Sequence, residues 1–267
     1  MGDLIKKISI IFELKKDVKN WRIPVLYYFG LRKKEEIIEF KNGIKCMMRN
    51  KSDSIAFFEV FFLKTNNYLD EFKIKEKDIV IDIGAHIGYF SIYSSQKAKN
   101  GKIFAFEPYN KSFEMLIKNL KINQINNVTT KNLGVTKKSG MDSLYLKKNS
   151  AIGNSIYKNS ESDSKIDIKT ISLQDIIKNN DIQKIDFLKL DCEGAEYEIL
   201  LNLDYQTLQK IDKIVSEMHP NIENFKIDDV KEFLALNGFD VKIIYPLNSV
   251  SEELAMLYAK NLSLKQN

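Results

Sequence analysis

A chain of 267 residues, 44% hydrophobic and 29% charged, has the composition of an ordinary folded protein and room for one large α/β domain or two small ones. Its 41 basic against 36 acidic residues leave a net charge of +5, too modest to mark a nucleic-acid binder, and arginine is scarce (Arg22, Arg32, Arg49). Cys46 and Cys192 lie far apart, which argues against a disulfide framework or a zinc site and suits a reducing compartment.

Residues 1–20 set Leu4, Ile8, Ile11 and Val18 at helical spacing among Lys6, Lys7, Lys15, Lys16 and Lys19. This reads as a helix packed on the core with a solvated basic face; a weak membrane-surface contact is the secondary reading. Nothing there resembles a signal peptide, and Lys6 spoils a myristoylation pattern, so the expected location is cytoplasmic. Glu36 to Arg49 reads as a hairpin turning at Lys41-Asn42-Gly43. The apolar stretch Ile55–Leu63 is far short of the ~18 residues a membrane helix needs, and it carries Glu59.

From Lys77 onward strands and helices alternate. Strands are expected at Ile79–Ile83, Lys102–Phe106, Val128–Leu133, Phe187–Leu190, Ile214–Met218, Val241–Ile244 and Ala255–Tyr258. Helices are expected at Tyr89–Gln96, Lys111–Ile122, Leu173–Asn179, Ala195–Leu203 and Asp229–Asn237. Such alternation implies a parallel-rich sheet with helices on both faces. Between Thr136 and Lys169 the pattern gives way to Lys, Ser and Asn, with alternating pieces at Ser143–Leu146 and Ile166–Ile171. That reads as a hairpin-like insertion, placed either as a substrate lid or as a plain solvated loop.

Three acid-tipped strands carry the chemistry. The first runs Asp82-Ile83-Gly84-Ala85-His86-Ile87-Gly88 into a helix, a glycine turn where a ligand can lie against bare backbone. Asp82 would repel a pyrophosphate but suits a ligand bearing positive charge, such as the sulfonium and α-amino group of S-adenosylmethionine (SAM). The second strand ends in Glu107-Pro108; a carboxylate there accepts two hydrogen bonds from a ribose diol, while a bulky neighbour covers the adenine. The third ends in Asp191-Cys192-Glu193-Gly194-Ala195-Glu196, placing Asp191 and Glu193 at the carboxyl edge to hold an amino group or take a proton, or simply to cap the next helix through Asp191. His219, after the following strand, falls beside Asp191 and is a candidate base, with Glu217 behind it. Asn154 and Ser155 of the insertion are candidates to face the acceptor.

The stretches D-I-G-A-H-I-G-Y-F-S, F-E-P-Y-N and I-D-F-L-K-L-D-C-E-G-A-E-Y-E-I-L resemble the FkbM family of SAM-dependent methyltransferases, from about Glu59 to Tyr258. The resemblance implies a class I, Rossmann-like α/β fold: a seven-stranded sheet ordered 3-2-1-4-5-7-6, its last strand antiparallel, with helices on both faces. It divides the chain into an N-terminal helical and hairpin extension (1–58) and a methyltransferase domain (59–267). It implies SAM as cofactor, held by Asp82, Gly84, His86, Gly88, Glu107, Pro108 and Asp191, and methyl transfer to a hydroxyl of a sugar, glycan or secondary metabolite. His219, Asp191 and Glu193 are then the catalytic candidates. Cys192 and His86 depart mildly from the family pattern, which commonly has Val and Asn there. The acidic turn has the residue types to bind Mg²⁺, but nothing calls for a metal. Rival readings are an RNA methyltransferase, a non-catalytic scaffold on the same fold and an NAD-binding oxidoreductase.

Overall fold

The computed structural model describes residues 2–63, 69–147, 153–158, 162–219, 222, 225–245 and 254–264, with side chains from residue 10 onward. The helix α1 (Gly2–Asp17) leads into α2 (Arg22–Tyr28), then the antiparallel hairpin β1 (Glu36–Glu39) and β2 (Lys45–Met48). The hairpin falls where the turn residues put it. Along α1, Leu14 and, just beyond it, Val18 are fully buried while Ile11 and Phe12 face solvent, so the packed stripe is offset from the expected one at Ile11. Leu4 and Ile8 lie outside the described side chains. The apolar stretch after the hairpin forms a helix, α3 (Lys51–Phe58), capped by the Asn50 side chain accepting from Asp53 N–H. It continues directly into one π-helical turn, Glu59–Leu63.

Seven strands then build one sheet: β3 (Ile79–Ile83), β4 (Lys102–Phe106), β5 (Val128–Lys131), β9 (Phe187–Leu190), β10 (Lys213–Met218), β11 (Phe239–Ile244) and β12 (Ala255–Asn261). Their spatial order, β5-β4-β3-β9-β10-β12-β11, is 3-2-1-4-5-7-6 in chain order. β12 is antiparallel to both neighbours and every other pairing seen between neighbours is parallel. The expected sheet is therefore present. β9 is buried along its whole length, as a central parallel strand covered on both faces must be.

Alternate residues serve opposite layers. Ile81, Ile83, Leu188, Leu190 and Ile214 pack under α6 (Leu173–Asn179), α7 (Ala195–Leu201) and α9 (Ile227–Leu236). Val80, Phe187 and Val215 face the other way, toward Phe90 of α4 (Tyr89–Lys97). The hairpin and α3 share a core with α4 and α5 (Asn110–Ile122): Cys46, Met48 and Phe57 pack with Ile87, Tyr89 and Leu116. Polar groups fix that docking. Asn119 accepts from Met47 N–H (2.8 Å), Asn123 accepts from Lys45 N–H (2.8 Å), and the Tyr89 hydroxyl donates to Met47 C=O (2.7 Å).

The expected strand Val128–Leu133 ends two residues early, at Lys131. Asn132, just past β5, donates to the carbonyls of Glu107 and Pro108, and the chain peels away into β6 (Gly134–Val135). β6 joins β7 (Gly140–Lys147) and β8 (Ser162–Ile171) in a separate three-stranded sheet. The insertion is thus the hairpin its alternation suggested, longer than expected.

Candidate active site

The cofactor-type loop is formed by backbone constraints. Gly84, His86 and Gly88 all have positive φ, and a Cβ on Gly84 would sit 1.7 Å from the Asp191 carbonyl oxygen. No side chain fits there, so the loop between β3 and α4 lies flat against the end of β9. Phe106 C=O accepts from both Gly84 and Ala85 N–H, tying the loop to β4.

Glu107, next after β4, is buried. Its two oxygens are held apart by backbone donors, Oε2 from His86 N–H (2.9 Å) and Oε1 from Tyr109 N–H (2.8 Å). Burial pushes this carboxyl up to about 7, against those two donors. Each oxygen keeps a lone pair for a further donor.

Asp82 is placed differently from the sequence reading. It is fully buried, accepts from Ser91 Oγ (2.6 Å) and lies 3.3 Å from Lys189 Nζ, and it is not among the residues lining the cleft. Lys189, in β9, also reaches Asp191 Oδ2 (3.2 Å) and donates to Gly84 C=O (2.9 Å). Burial would discharge this ammonium, but the two aspartates outweigh burial and hold it charged. Its counterpart Asp191 is lowered: burial works against the carboxylate, and Lys189 and His219 prevail. The residue that ties the glycine loop to the third acidic strand is therefore a lysine to which sequence reasoning gave no role.

The acidic turn is likewise organised by a residue not singled out. Glu196 is fully buried and accepts from Cys192 N–H (2.6 Å) and Gly194 N–H (2.7 Å), so it, and not Asp191, secures the start of α7. The same carboxylate lies 3.1 Å from His219 Nδ1, while Glu193 lies 3.3 Å from His219 Nε2. Burial alone would lower the imidazole, but Glu196 and Glu193 raise it well above its ordinary value. An imidazolium facing carboxylates through both nitrogens has no lone pair with which to take a proton. His219 is brought to Asp191 and Glu193 as expected, with a carboxylate facing each ring nitrogen, an arrangement that favours the charged imidazolium. Asp191, Glu217 and His219 do bring ligand-type atoms within 4.8 Å of one another.

His86 occupies the middle of the loop at positive φ. Burial lowers its pKa to about 4, and its Nε2 lies 3.9 Å from Asp53, which Arg49 already neutralises. It is a neutral packing group between the loop and α3.

These elements surround an open cleft of ≈ 160 Å³ with an inner extension of ≈ 50 Å³. Gly84, His86, Glu107, Pro108, Asp191 and Glu193 line it, and Gly88 caps α4 just behind the loop. Leu144, Gly153, Asn154 and Ile156 of the insertion form one wall. Ser155 is turned away: its hydroxyl donates to Glu193 C=O and fixes the insertion onto the acidic turn. Ile55, Ala56 and Glu59, none of them a predicted site residue, form the opposite wall.

A sheet of this order, a glycine loop against the neighbouring strand and an acid at the end of β4 define a nucleotide-cofactor transferase of the class I methyltransferase type. The sequence profile of the methyltransferase FkbM domain matches residues 82–241, more than half the chain, and the protein belongs to that family. Membership makes it a methyltransferase with SAM as its cofactor. Among curated proteins it is similar to methyltransferase sdnD of Sordaria araneosa, 25% identical over 213 residues covering 66% of this chain and 79% of that one. The hexuronic acid methyltransferase AglP of Haloferax volcanii is 28% identical over 149 residues, 56% of this chain and 59% of that one. A solved rRNA-methylase-like structure from Clostridium thermocellum aligns with TM-score 0.49 and 15% identity over 75% of this chain and 94% of that one. No helix among the described residues is long and apolar enough to cross a membrane.

Proposed function

We propose that the protein is an O-methyltransferase that uses SAM to methylate a hydroxyl of a sugar, glycan or secondary metabolite. The observation that carries this reading is Glu107: a buried carboxylate at the mouth of the glycine loop, its oxygens splayed by two N–H donors and each able to accept one hydroxyl of a ribose. Pro108 and Ile156 supply apolar walls where the adenine would lie. The similarity to a hexuronic acid methyltransferase supports a sugar-type acceptor. Glu59, Asp191, Glu193 and Glu217 line the cleft and disfavour a polyphosphate such as RNA.

When bound, SAM would supply an electrophilic methyl on its sulfonium, which an acceptor oxygen takes up as the C–S bond breaks and S-adenosylhomocysteine leaves. The chain's own work is chiefly positioning, an effect that can supply roughly 7–11 kcal/mol. We assign Asp191, fixed by Lys189, to the methionyl amino group. Glu193 receives the hydroxyl proton: it lines the cleft, burial raises its carboxyl, and the His219 imidazolium orients it. Residues 1–58 act as an extension that closes the cleft through Ile55 and Ala56, and residues 59–267 as the methyltransferase domain. The free cysteines Cys46 and Cys192 support a cytoplasmic location.

Titration calorimetry with SAM, followed by radiolabelled methyl transfer to a panel of sugars, lipid-linked glycans and hydroxylated metabolites, tests the reading. Wild type binds SAM and Glu193→Gln binds it equally but turns over roughly 10²–10⁴ times more slowly. No heat of SAM binding by wild type overturns the cofactor reading, and undiminished turnover in Glu193→Gln removes that residue from the chemistry.

A further inference from the structure

Single π-helical turns within α-helices recur at functional positions, because the extra residue re-aims the side chains around it. Here the π turn Glu59–Leu63 follows α3 directly and sets Glu59 on the wall of both the cleft and its inner extension. The inner extension is lined by the Gly84–His86 loop and by carboxylates from three separate elements: Glu59, Asp191 and Glu217. Glu107 lines only the outer part. These three acids line the cleft beside Glu107 as well, so a cofactor whose ribose were held by Glu107 would have them within the same cleft for the end that carries a sulfonium and an α-ammonium. Lys189, the one lysine or arginine among the lining residues there, already faces Asp82 and Asp191.

We propose that Glu59 is a cofactor-binding residue contributed from outside the family-matched span, its carboxylate gripping the cationic methionyl end of SAM together with Asp191 and Glu217. This rests on the SAM reading above. Among the charged groups acting on Glu59 are Asp191 and Glu193 on the acidic turn, Lys189 on β9, and Glu217 and His219 at the end of β10. Burial, reinforced by Asp191 and Glu193, pushes the Glu59 carboxyl up to about 8. In the cofactor-free protein at pH 7 it therefore holds a proton. The arriving cation favours the ionised form, and the proton passes to solvent as SAM binds.

The test is calorimetric titration of the full chain with SAM at pH 7 in two buffers of different ionisation enthalpy. Wild type is expected to release a proton from Glu59 as SAM binds, alongside any from Glu217, whose carboxyl burial also raises. Glu59→Gln, an isostere of the protonated acid and so expected to fold, binds SAM about 10- to 100-fold more weakly and loses that proton. Glu59→Asp keeps the proton release and recovers part of the affinity. If Glu59→Gln binds SAM with wild-type affinity and proton release, Glu59 has no such role while the cofactor reading stands. If Glu59→Gln does not fold, unchanged affinity in Glu59→Asp overturns the proposal equally. Failure of wild type to bind SAM at all overturns the cofactor reading instead.

Discussion

Lys189→Met is the most direct test of how this site is held together. The lysine is 5% exposed and Asp82 is wholly buried, with Nζ 3.3 Å from Oδ1. At an effective dielectric near 20 that separation corresponds to roughly 5 kcal/mol of attraction, most of it offset in the intact pair by desolvation. Methionine fills similar volume but leaves Asp82 as a buried charge with only Ser91 as partner. Removing one member of a buried pair costs about 3–5 kcal/mol. Asp191 also pairs with Lys189, but at 37% exposure it stays hydrated when the lysine is removed, so the stranded charge is chiefly that of Asp82. Urea unfolding at pH 7.5 without cofactor should show that loss, equivalent to a melting point lower by roughly 10 °C for a chain of this size. The double variant Lys189→Met with Asp82→Asn removes the stranded charge and should recover at least ~2 kcal/mol of it. A loss below ~1 kcal/mol, or a double variant no more stable than the single one, would refute the account of Lys189 as the internal counter-ion of the loop.

Two further predictions concern pH. Glu107 has a folded value, about 7, above that of an unfolded glutamate, so its contribution is fully present at acid pH and is lost as pH rises from ~4.3 through 7, up to roughly 3 kcal/mol. Glu107→Gln should flatten that part of the stability–pH profile and weaken SAM binding at least about tenfold, both read by melts and titrations at pH 5, 6.5 and 8; an unchanged slope contradicts the burial argument. His219 is raised, so its stabilisation is complete below its unfolded value near 6.5 and fades only as pH climbs through its higher folded value. His219→Gln should therefore lose more stability at pH 6 than at the alkaline end, with SAM affinity retained; equal losses at both ends would show that the imidazole is neutral.

The glycine loop and the acid after β4 were legible in the sequence because each depends on local chemistry, whereas the sheet order was an implication of the family resemblance. Positive φ at Gly84 and Gly88 and the strand–turn–helix pattern around them are properties of neighbouring residues. The hairpin insertion was legible for the same reason, since alternation survives any tertiary context. What the sequence hid is what depends on convergence. Lys189 occupies one position of a buried apolar strand, F-L-K-L, and its meaning lies in Asp82 on β3, brought beside it by the register Asp82↔Lys189. Glu196 could be read as a helical surface acid until the turn wraps its backbone N–H groups around it.

His219 shows why such convergence reverses a chemical role. A histidine near a carboxylate invites assignment as a base, and one carboxylate on one nitrogen would support that assignment. Two carboxylates, on Nδ1 and Nε2, favour the charged ring, which has no lone pair to offer. The number of acids around it, supplied by β10, the acidic turn and α7, decides the protonation state, and no spacing along the chain encodes that number. The same count explains Glu59. A lone glutamate in an apolar helix reads as an interruption of that helix, whereas opposite Asp191 and Glu217 it becomes the third carboxylate of a pocket shaped for positive charge. The excess of acids over cations at the inner end of the cleft is thus the property that selects a sulfonium cofactor over a pyrophosphate one. The sequence offered Asp82 for that discrimination; in the proposed reading it falls to Asp191, Glu217 and Glu59, which line the cleft, while Asp82 pairs with Lys189.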